Sequence, residues 1–141
     1  MENQKQIDAP KSTVWSVTED VEGWTQWTPT VQTIKRLDEG AFDVGSKALI
    51  KQPGLPEAEW RVTALNPGDG FTWETRVRGI RMVATHEVKS SGTDTSNVLR
   101  IEMFGIIAAL LWPFIRGSVR KSLEKENAGL KAKCEALATS Q

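Results

Sequence analysis

The sequence of 141 residues is short of the side chains that most enzymes use. It has no tyrosine, one histidine (His86) and one cysteine (Cys134). Tyrosine-dependent acid catalysis is therefore excluded, and one imidazole with one thiol cannot build a typical zinc or iron site. The sequence also has no glycine-rich phosphate loop, dinucleotide fingerprint or serine elbow. We therefore expect neither a metal nor a cofactor.

An excess of either charge is also missing. Eighteen lysines and arginines balance eighteen aspartates and glutamates, so the formal net charge is zero. Proteins that neutralise many phosphates are usually basic, and we therefore expect no nucleic-acid partner. A single cysteine cannot form a disulfide within the chain, which fits a reducing compartment.

Long apolar runs are missing as well. The first six residues are polar, so we expect no secretory signal. The longest apolar run, residues 103–115, contains a glycine and a proline and is shorter than the about 20 residues that a bilayer span needs. These features predict a cytoplasmic protein without stable membrane insertion. They leave its oligomeric state, monomer or homodimer, open.

The length and composition of the chain are those of one globular domain, residues 1–141. Hydrophobic residues make up 39% and charged residues 26%, which is ordinary for such a domain. At this size a chain buries enough surface to form a core without disulfides or metal.

Apolar residues recur at helical spacing in three parts of the chain. After a short strand at residues 4–8, they predict a helix over residues 11–22 and a short helix or structured turn over residues 24–29. From residue 106 to about 138, an apolar stripe faces lysines and glutamates, which predicts a long C-terminal helix. Pro113 suggests that the regular part of this helix begins near that residue.

Between these helices the hydrophobic period falls to two, which is typical of strands. Strands are predicted near residues 31–38, 46–52, 57–65, 71–78, 81–90 and 97–104. Turn-forming residues separate them, and the short connections indicate antiparallel hairpins. An antiparallel sheet curled around the last helix is one arrangement that satisfies this order.

The alternation along the strands assigns side chains to the inner face of the sheet. Those residues are Trp60, Val62, Ala64, Phe71, Trp73, Thr75, Val77, Met82, Ala84, His86, Val88, Leu99, Ile101 and Met103. The set mixes bulky aromatics with small residues and one imidazole. It is compatible with a solid core, which the residue types alone favour, and with an apolar pocket that binds a small molecule.

Several short motifs occur in order along nearly the whole chain. They are Val14-Trp15-Ser16-Val17, residues 20–29 (DVEGWTQWTP), Val44-Gly45-Ser46, residues 52–56 (QPGLP), Trp60-Arg61-Val62, Phe71-Thr72-Trp73-Glu74, Gly79, Thr85-His86-Glu87-Val88 and Gly129-Leu130-Lys131. Together they resemble the SRPBCC superfamily, and most of all the polyketide cyclase/dehydrase branch of the START-like proteins.

The resemblance implies an α+β helix-grip fold of the birch-pollen-allergen type. In that fold a seven-stranded antiparallel curved sheet wraps around a long C-terminal helix, two short helices follow the first strand, and a hydrophobic cavity is enclosed. The resemblance therefore favours the pocket over the solid core. The residues we then expect at the ligand are Ile50, Trp60, Val62, Trp73, Thr75, Met82, His86, Ile101, Phe114 and Ser118.

Fold alone does not fix function, and three hypotheses follow. The first is binding or carriage of a small hydrophobic ligand such as a lipid, isoprenoid or aromatic polyketide. The second is a polyketide cyclase or dehydratase that uses His86 as its acid and base, because one such group in a shaped pocket is enough for this chemistry. The third is a regulatory or interaction subunit. Convergent polar groups are scarce, which favours the first, and His86 has the alternative of a structural core histidine.

Two further segments have competing interpretations. We expect Trp24 and Trp27 to pack against the sheet, with a lid over the pocket as the alternative. We expect residues 106–115 to form the buried start of the last helix. The alternative is that this apolar segment, followed by cationic residues, touches a membrane while a lipid is loaded.

Overall fold

The structure is a computed structural model that describes residues 1–140, so Gln141, the last residue of the predicted domain, lies outside the described part. Its elements in chain order are β1 (Glu2–Ile7), α1 (Lys11–Glu19), a 3₁₀ helix (Val21–Gln26), β2 (Thr33–Arg36), β3 (Lys47–Lys51), β4 (Ala58–Asn66), β5 (Gly70–Val77), β6 (Ile80–Ser91), β7 (Asp94–Phe104) and α2 (Ile106–Thr139). The strands form one sheet in the order β1-β7-β6-β5-β4-β3-β2, and each neighbouring pair is antiparallel. The predicted architecture is confirmed.

The two short helices after β1 differ in detail from the prediction. The helix expected over residues 11–22 ends at Glu19, because Asp20 takes a non-helical backbone conformation (φ −80°, ψ 72°). The 3₁₀ helix follows directly and buries Val21 and Trp24. The Trp24 indole N–H donates to the Thr18 carbonyl at 3.0 Å, which ties the 3₁₀ helix to the end of α1.

The β5–β6 hairpin sets the inner face of the sheet. Val77 lies opposite Ile80, and the two residues between them, Arg78 and Gly79, both have left-handed backbones (φ 50° and 80°). Two positive φ values are what a tight two-residue hairpin requires. This register places Trp73 opposite Ala84 on one face. The predicted inner sets of β5 and β6 are thus confirmed.

One inward assignment on β4 is wrong. Ala64 is exposed, because the pairing with β5 shifts between Val62 and Ala64 and inserts a β-bulge. Beyond the bulge the faces exchange, so Leu65 lies opposite Phe71 and packs against the core.

The C-terminal helix α2 is longer than its regular part was predicted to be. It runs for 34 residues from Ile106, so Pro113 lies inside its second turn. Pro113 has no backbone N–H, so the carbonyl of Ala109 loses its helical hydrogen bond. The helix tolerates this loss because Ala109 is exposed and its carbonyl can bind water. Leu123, Leu130 and Cys134 are buried, which confirms the later part of the predicted stripe, whereas Leu111 at its start is exposed. Within residues 1–140, no helix has both the length and the hydropathy that crossing a membrane requires.

The expectation that residues 106–115 form a buried helix start is wrong. Ile106 is 81% exposed, Leu110 68% and Phe114 83%. The tip of the β5–β6 hairpin lies beside this segment, since a Cβ on Gly79 would sit 3.3 Å from the Ile107 Cδ1 atom. The outer flank of the helix carries apolar side chains with nothing packed on them in the described chain.

Candidate ligand-binding cavity

A cavity of about 440 Å³ lies between the sheet and α2. Its walls are mostly apolar, and the residues that form them include Val31, Ile50, Trp60, Trp73, Val77, Ile80, Met82, Ala84, Leu99, Ile101, Met103, Leu111, Ile115, Val119 and Leu123. Polar side chains reach it at a few places, including Gln52, His86, Ser118, Ser122 and Glu126. This volume and lining lie in the range of small-molecule sites.

The mouth of the cavity is marked by lining residues that are exposed. They belong to the β3–β4 loop (Leu55), the β5–β6 turn (Arg78) and the first half of α2 (Leu111 and Ser118). The deep end is closed by aromatic rings. The opening is therefore framed by two loops and by the exposed part of the helix.

Most of the residues predicted at the ligand meet at this cavity. Ile50, Trp60, Trp73, Met82, His86, Ile101 and Ser118 line it. The other three do not. Val62 is fully buried in the core, and the buried Thr75 donates its hydroxyl to the Glu59 carbonyl at 2.7 Å. Phe114 points away because it lies about 100° around the helix from the inward-facing Ile115.

His86 sits at the closed end in an aromatic cage. Its ring stacks on Phe71 at 4.7 Å with an angle of 10°, and the Trp24 ring lies 5.0 Å away. Burial lowers the pKa of His86 to about 3, because the charged imidazolium is poorly solvated among these rings. At neutral pH the ring is neutral, so it can bond a ligand atom but holds protons weakly.

Glu126 is a polar group of the cavity that the sequence analysis missed. It lies on α2, lines the cavity and is half-buried. Burial raises the pKa of its carboxyl to about 7, so a large share of the molecules carries a neutral acid there at neutral pH. The signal that would have revealed it is its spacing: Glu126 falls three residues after Leu123 and four before Leu130, inside the apolar stripe.

Trp24 and Trp27 both pack against other residues, at different places. Trp24 is buried, packs against Trp73 at 5.4 Å and also lines the cavity. Trp27 packs on its outer side, where a Cβ on Gly129 would come within 2.0 Å of the Trp27 carbonyl oxygen. Packing, the expected role, thus holds for both residues.

The thiol and the possible metal ligands add no reactive group to the cavity. Cys134 is buried, and burial raises the pKa of its thiol to about 12, which keeps it protonated. Across residues 1–140, no three histidine, cysteine, aspartate or glutamate side chains come together in a group suited to a metal ion.

Solved structures share this fold at low sequence identity. A hypothetical protein from Helicobacter pylori superposes with a TM-score of 0.82 at 12% identity, covering 94% of this chain and 86% of its own. A START superfamily protein from Mycobacterium smegmatis gives 0.73 at 14%, with 97% of each chain covered. The di-domain ARO/CYC StfQ from the steffimycin biosynthetic pathway gives 0.81 at 11%, covering 99% of this chain and 51% of that one.

Sequence comparison adds the family. No curated protein matches the chain. A family model does match, over residues 1–135, and its description is polyketide cyclase / dehydrase and lipid transport. Because the match spans nearly the whole chain and the fold agrees with it, this protein belongs to the polyketide cyclase/dehydrase and lipid transport family.

Proposed function

We propose that this protein binds and carries a small, largely apolar molecule, such as a lipid, an isoprenoid or an aromatic polyketide, that has one hydrogen-bonding oxygen. The observation that carries the proposal is the cavity of about 440 Å³, with apolar walls and few polar groups. A small molecule with an apolar body and one polar end matches that distribution.

Two polar groups support a ligand with a hydrogen-bonding oxygen. The neutral carboxyl of Glu126 has an O–H to donate, and burial rather than a bonded partner sets its pKa. The neutral His86 ring offers one N–H donor and one acceptor. A carbonyl or hydroxyl oxygen would satisfy either group, whereas a carboxylate would be repelled once Glu126 ionises above about pH 7.

Carriage is favoured over conversion by the state of His86. A general base works best when its pKa lies near the working pH, and the pKa of His86 is about 3. The ring has aromatic neighbours and no carboxylate that would orient it or stabilise its charge. We place the carrier in the cytoplasm, which the single, buried and unpaired cysteine supports.

A second candidate function, cyclisation or dehydration of a polyketide-like substrate, is favoured by one observation. Glu126 lines the cavity with a pKa of about 7, which suits proton transfer at neutral pH. If the protein is an enzyme, Glu126 rather than His86 is the acid and base. Turnover of the molecule that co-purifies with the protein, lost by 10²–10⁴-fold in Glu126→Gln, would establish this second function.

Cavity filling tests the proposed function. Ala84 lines the cavity, and its neighbour Val83 lies on the opposite face of β6. We expect Ala84→Leu to weaken binding of the neutral dye Nile red at least about tenfold, because the added carbons occupy ligand space. The measurement is dye fluorescence during titration, with thermal unfolding as a check that both variants fold.

Val83→Leu is the control on the opposite face and should leave the affinity within about twofold, since it places a leucine at the adjacent position outside the cavity. Equal affinity in Ala84→Leu, Val83→Leu and the wild type would contradict binding in this cavity. If Ala84→Leu does weaken binding, native mass spectrometry of the protein purified from its own host should identify the molecule that the cavity retains.

A further inference from the structure

The start of α2 and the end of β7 form an exposed apolar surface. Its members, here called the apolar patch, are Phe104, Ile106, Ile107, Leu110, Leu111 and Phe114, and each is at least 41% exposed. Ile107, Leu111 and Phe114 are spaced four and three residues apart, so they share one flank of the helix. Contiguous exposed apolar groups of this kind mark a surface that another body covers.

The apolar patch is continuous with the mouth of the cavity. Leu111 belongs to both, and Leu55, which is also exposed, lies on the mouth from the β3–β4 loop. Whatever covers the patch therefore also covers the opening. An apolar molecule could pass between the two without crossing water.

Cations predominate in the segments that carry the patch and the mouth. Residues 75–86 and 103–123 hold six of the 18 cations of the chain and none of its 18 acidic residues. Arg78 lies on the mouth, and Arg116, Arg120 and Lys121 follow the patch along α2. The acidic residues at its border include Glu74, which is already paired with Arg81 at 2.8 Å.

These charges decide between occupants. A second copy seated face to face would bring two cationic surfaces together, which is unfavourable. An anionic bilayer offers negative charge for the arginines and an apolar interior for the helix flank. We propose that the apolar patch docks onto the surface of an anionic lipid bilayer, with the cavity mouth facing the lipid.

Vesicle binding tests this docking. The intact protein is mixed with vesicles of one part phosphatidylserine to three parts phosphatidylcholine, and the bound fraction is measured by sedimentation. We expect binding that falls as salt is raised and is at least about tenfold weaker on pure phosphatidylcholine. We expect the exposed pair Leu110→Ser and Phe114→Ser to weaken binding by a further tenfold or more.

Leu37→Ser with Val44→Ser is the matched control, since both residues are exposed apolar side chains outside the patch. It should bind like the wild type. Arg116→Gln with Arg120→Gln should remove most of the salt dependence, whereas Lys5→Gln with Lys35→Gln, exposed elsewhere, should not.

The proposal fails if the wild type ignores anionic vesicles, or if the patch variant binds as well as its control. A concentration-dependent dimer that the patch variant abolishes would assign the surface to a second copy instead. Docking needs no cavity ligand, so Ala84→Leu should bind vesicles normally. Failure of the docking and failure of the ligand assignment are therefore distinguishable.

Discussion

Burial favours the neutral form of two residues of the cavity, His86 and Glu126. Burial disfavours the charged form, which is the protonated imidazole of His86 and the ionised carboxylate of Glu126. Their pKa values therefore move in opposite directions, to about 3 and about 7. A cavity whose two polar groups favour their uncharged forms suits a neutral ligand better than an ionic one.

These opposite shifts predict how stability depends on pH. Below its unfolded pKa of 6.5, His86 takes up a proton in the unfolded chain but not in the folded one, so it lowers the free energy of unfolding as pH falls. Glu126 keeps its proton in the folded chain up to about pH 7 but loses it above 4.5 when unfolded, so its stabilisation is lost as pH rises. Between about pH 5 and 6 the two slopes nearly cancel.

Single variants should separate the two slopes. From about pH 6 to 5, we expect Glu126→Gln to lose about 1 kcal/mol per pH unit relative to the wild type, and His86→Gln to gain about as much. The measurement is urea unfolding across this window. The double variant should return to the wild-type slope, and single variants with unchanged slopes would show that neither group is desolvated.

At the scale of elements, the packing of α2 depends on glycine in one place and not in another. A Cβ on Gly129 would lie 2.0 Å from the Trp27 carbonyl oxygen, whereas a Cβ on Gly117 would meet nothing within 4 Å. Both glycines are inside α2. The helix therefore approaches the loop after the 3₁₀ helix closely at Gly129, where a side chain would not fit. At Gly117 there is room for one.

The two glycines should respond to alanine with opposite signs. Gly117→Ala should raise the free energy of unfolding by up to about 1 kcal/mol, the difference in helix propensity. Gly129→Ala has the same propensity gain but forces the helix and loop apart, and we expect a net loss of about 1–3 kcal/mol. Denaturant unfolding followed by tryptophan fluorescence measures both. Stabilisation by both substitutions would contradict the close contact.

The elements that the sequence predicted well are those whose pattern is local. The alternation in β5 and β6 placed Trp73, Met82 and His86 correctly, because one buried face and a tight turn fix the register. The β-bulge in β4, which directs Ala64 outward, arises from the pairing of β4 with β5. The sequence of β4 alone therefore does not predict it. The start of α2 was predicted to be buried but is exposed, and the reason is similar. Apolar residues predict a covered surface, but their spacing does not show whether the rest of the chain or another molecule covers it.

At the scale of the molecule, the net charge of zero conceals a strong asymmetry. The balanced composition predicted no excess charge, yet residues 75–86 and 103–123, which carry the apolar patch and the turn at the cavity mouth, hold six cations and no acidic residue. The fold creates this asymmetry, because the β5–β6 turn and the start of α2 are far apart in sequence and adjacent in space. The acidic excess elsewhere on the surface would orient the molecule with its mouth toward a negative surface.

The two ends of the chain are joined by a buried amide network. Asn127 of α2 is fully buried, accepts a hydrogen bond from the Asn97 side chain of β7 at 2.7 Å, and donates to the Asn3 side chain of β1 at 2.7 Å. One side chain thus connects the first strand, the last strand and the last helix. Buried amides that lose a partner carry the full cost of desolvation.

Removing Asn127 should therefore destabilise the whole molecule. We expect Asn127→Ala to lower the free energy of unfolding by about 3 kcal/mol, because the Asn97 amide is left buried without its acceptor. Asn66→Ala, which removes an exposed amide paired with Asp69, is the control and should change stability by about 0.5 kcal/mol or less. Denaturant unfolding measures both, and the Asn97→Ala, Asn127→Ala double variant should lose less than the sum of its single variants. Additive losses, or equal losses at Asn127 and Asn66, would show that the network does not hold the helix to the two strands.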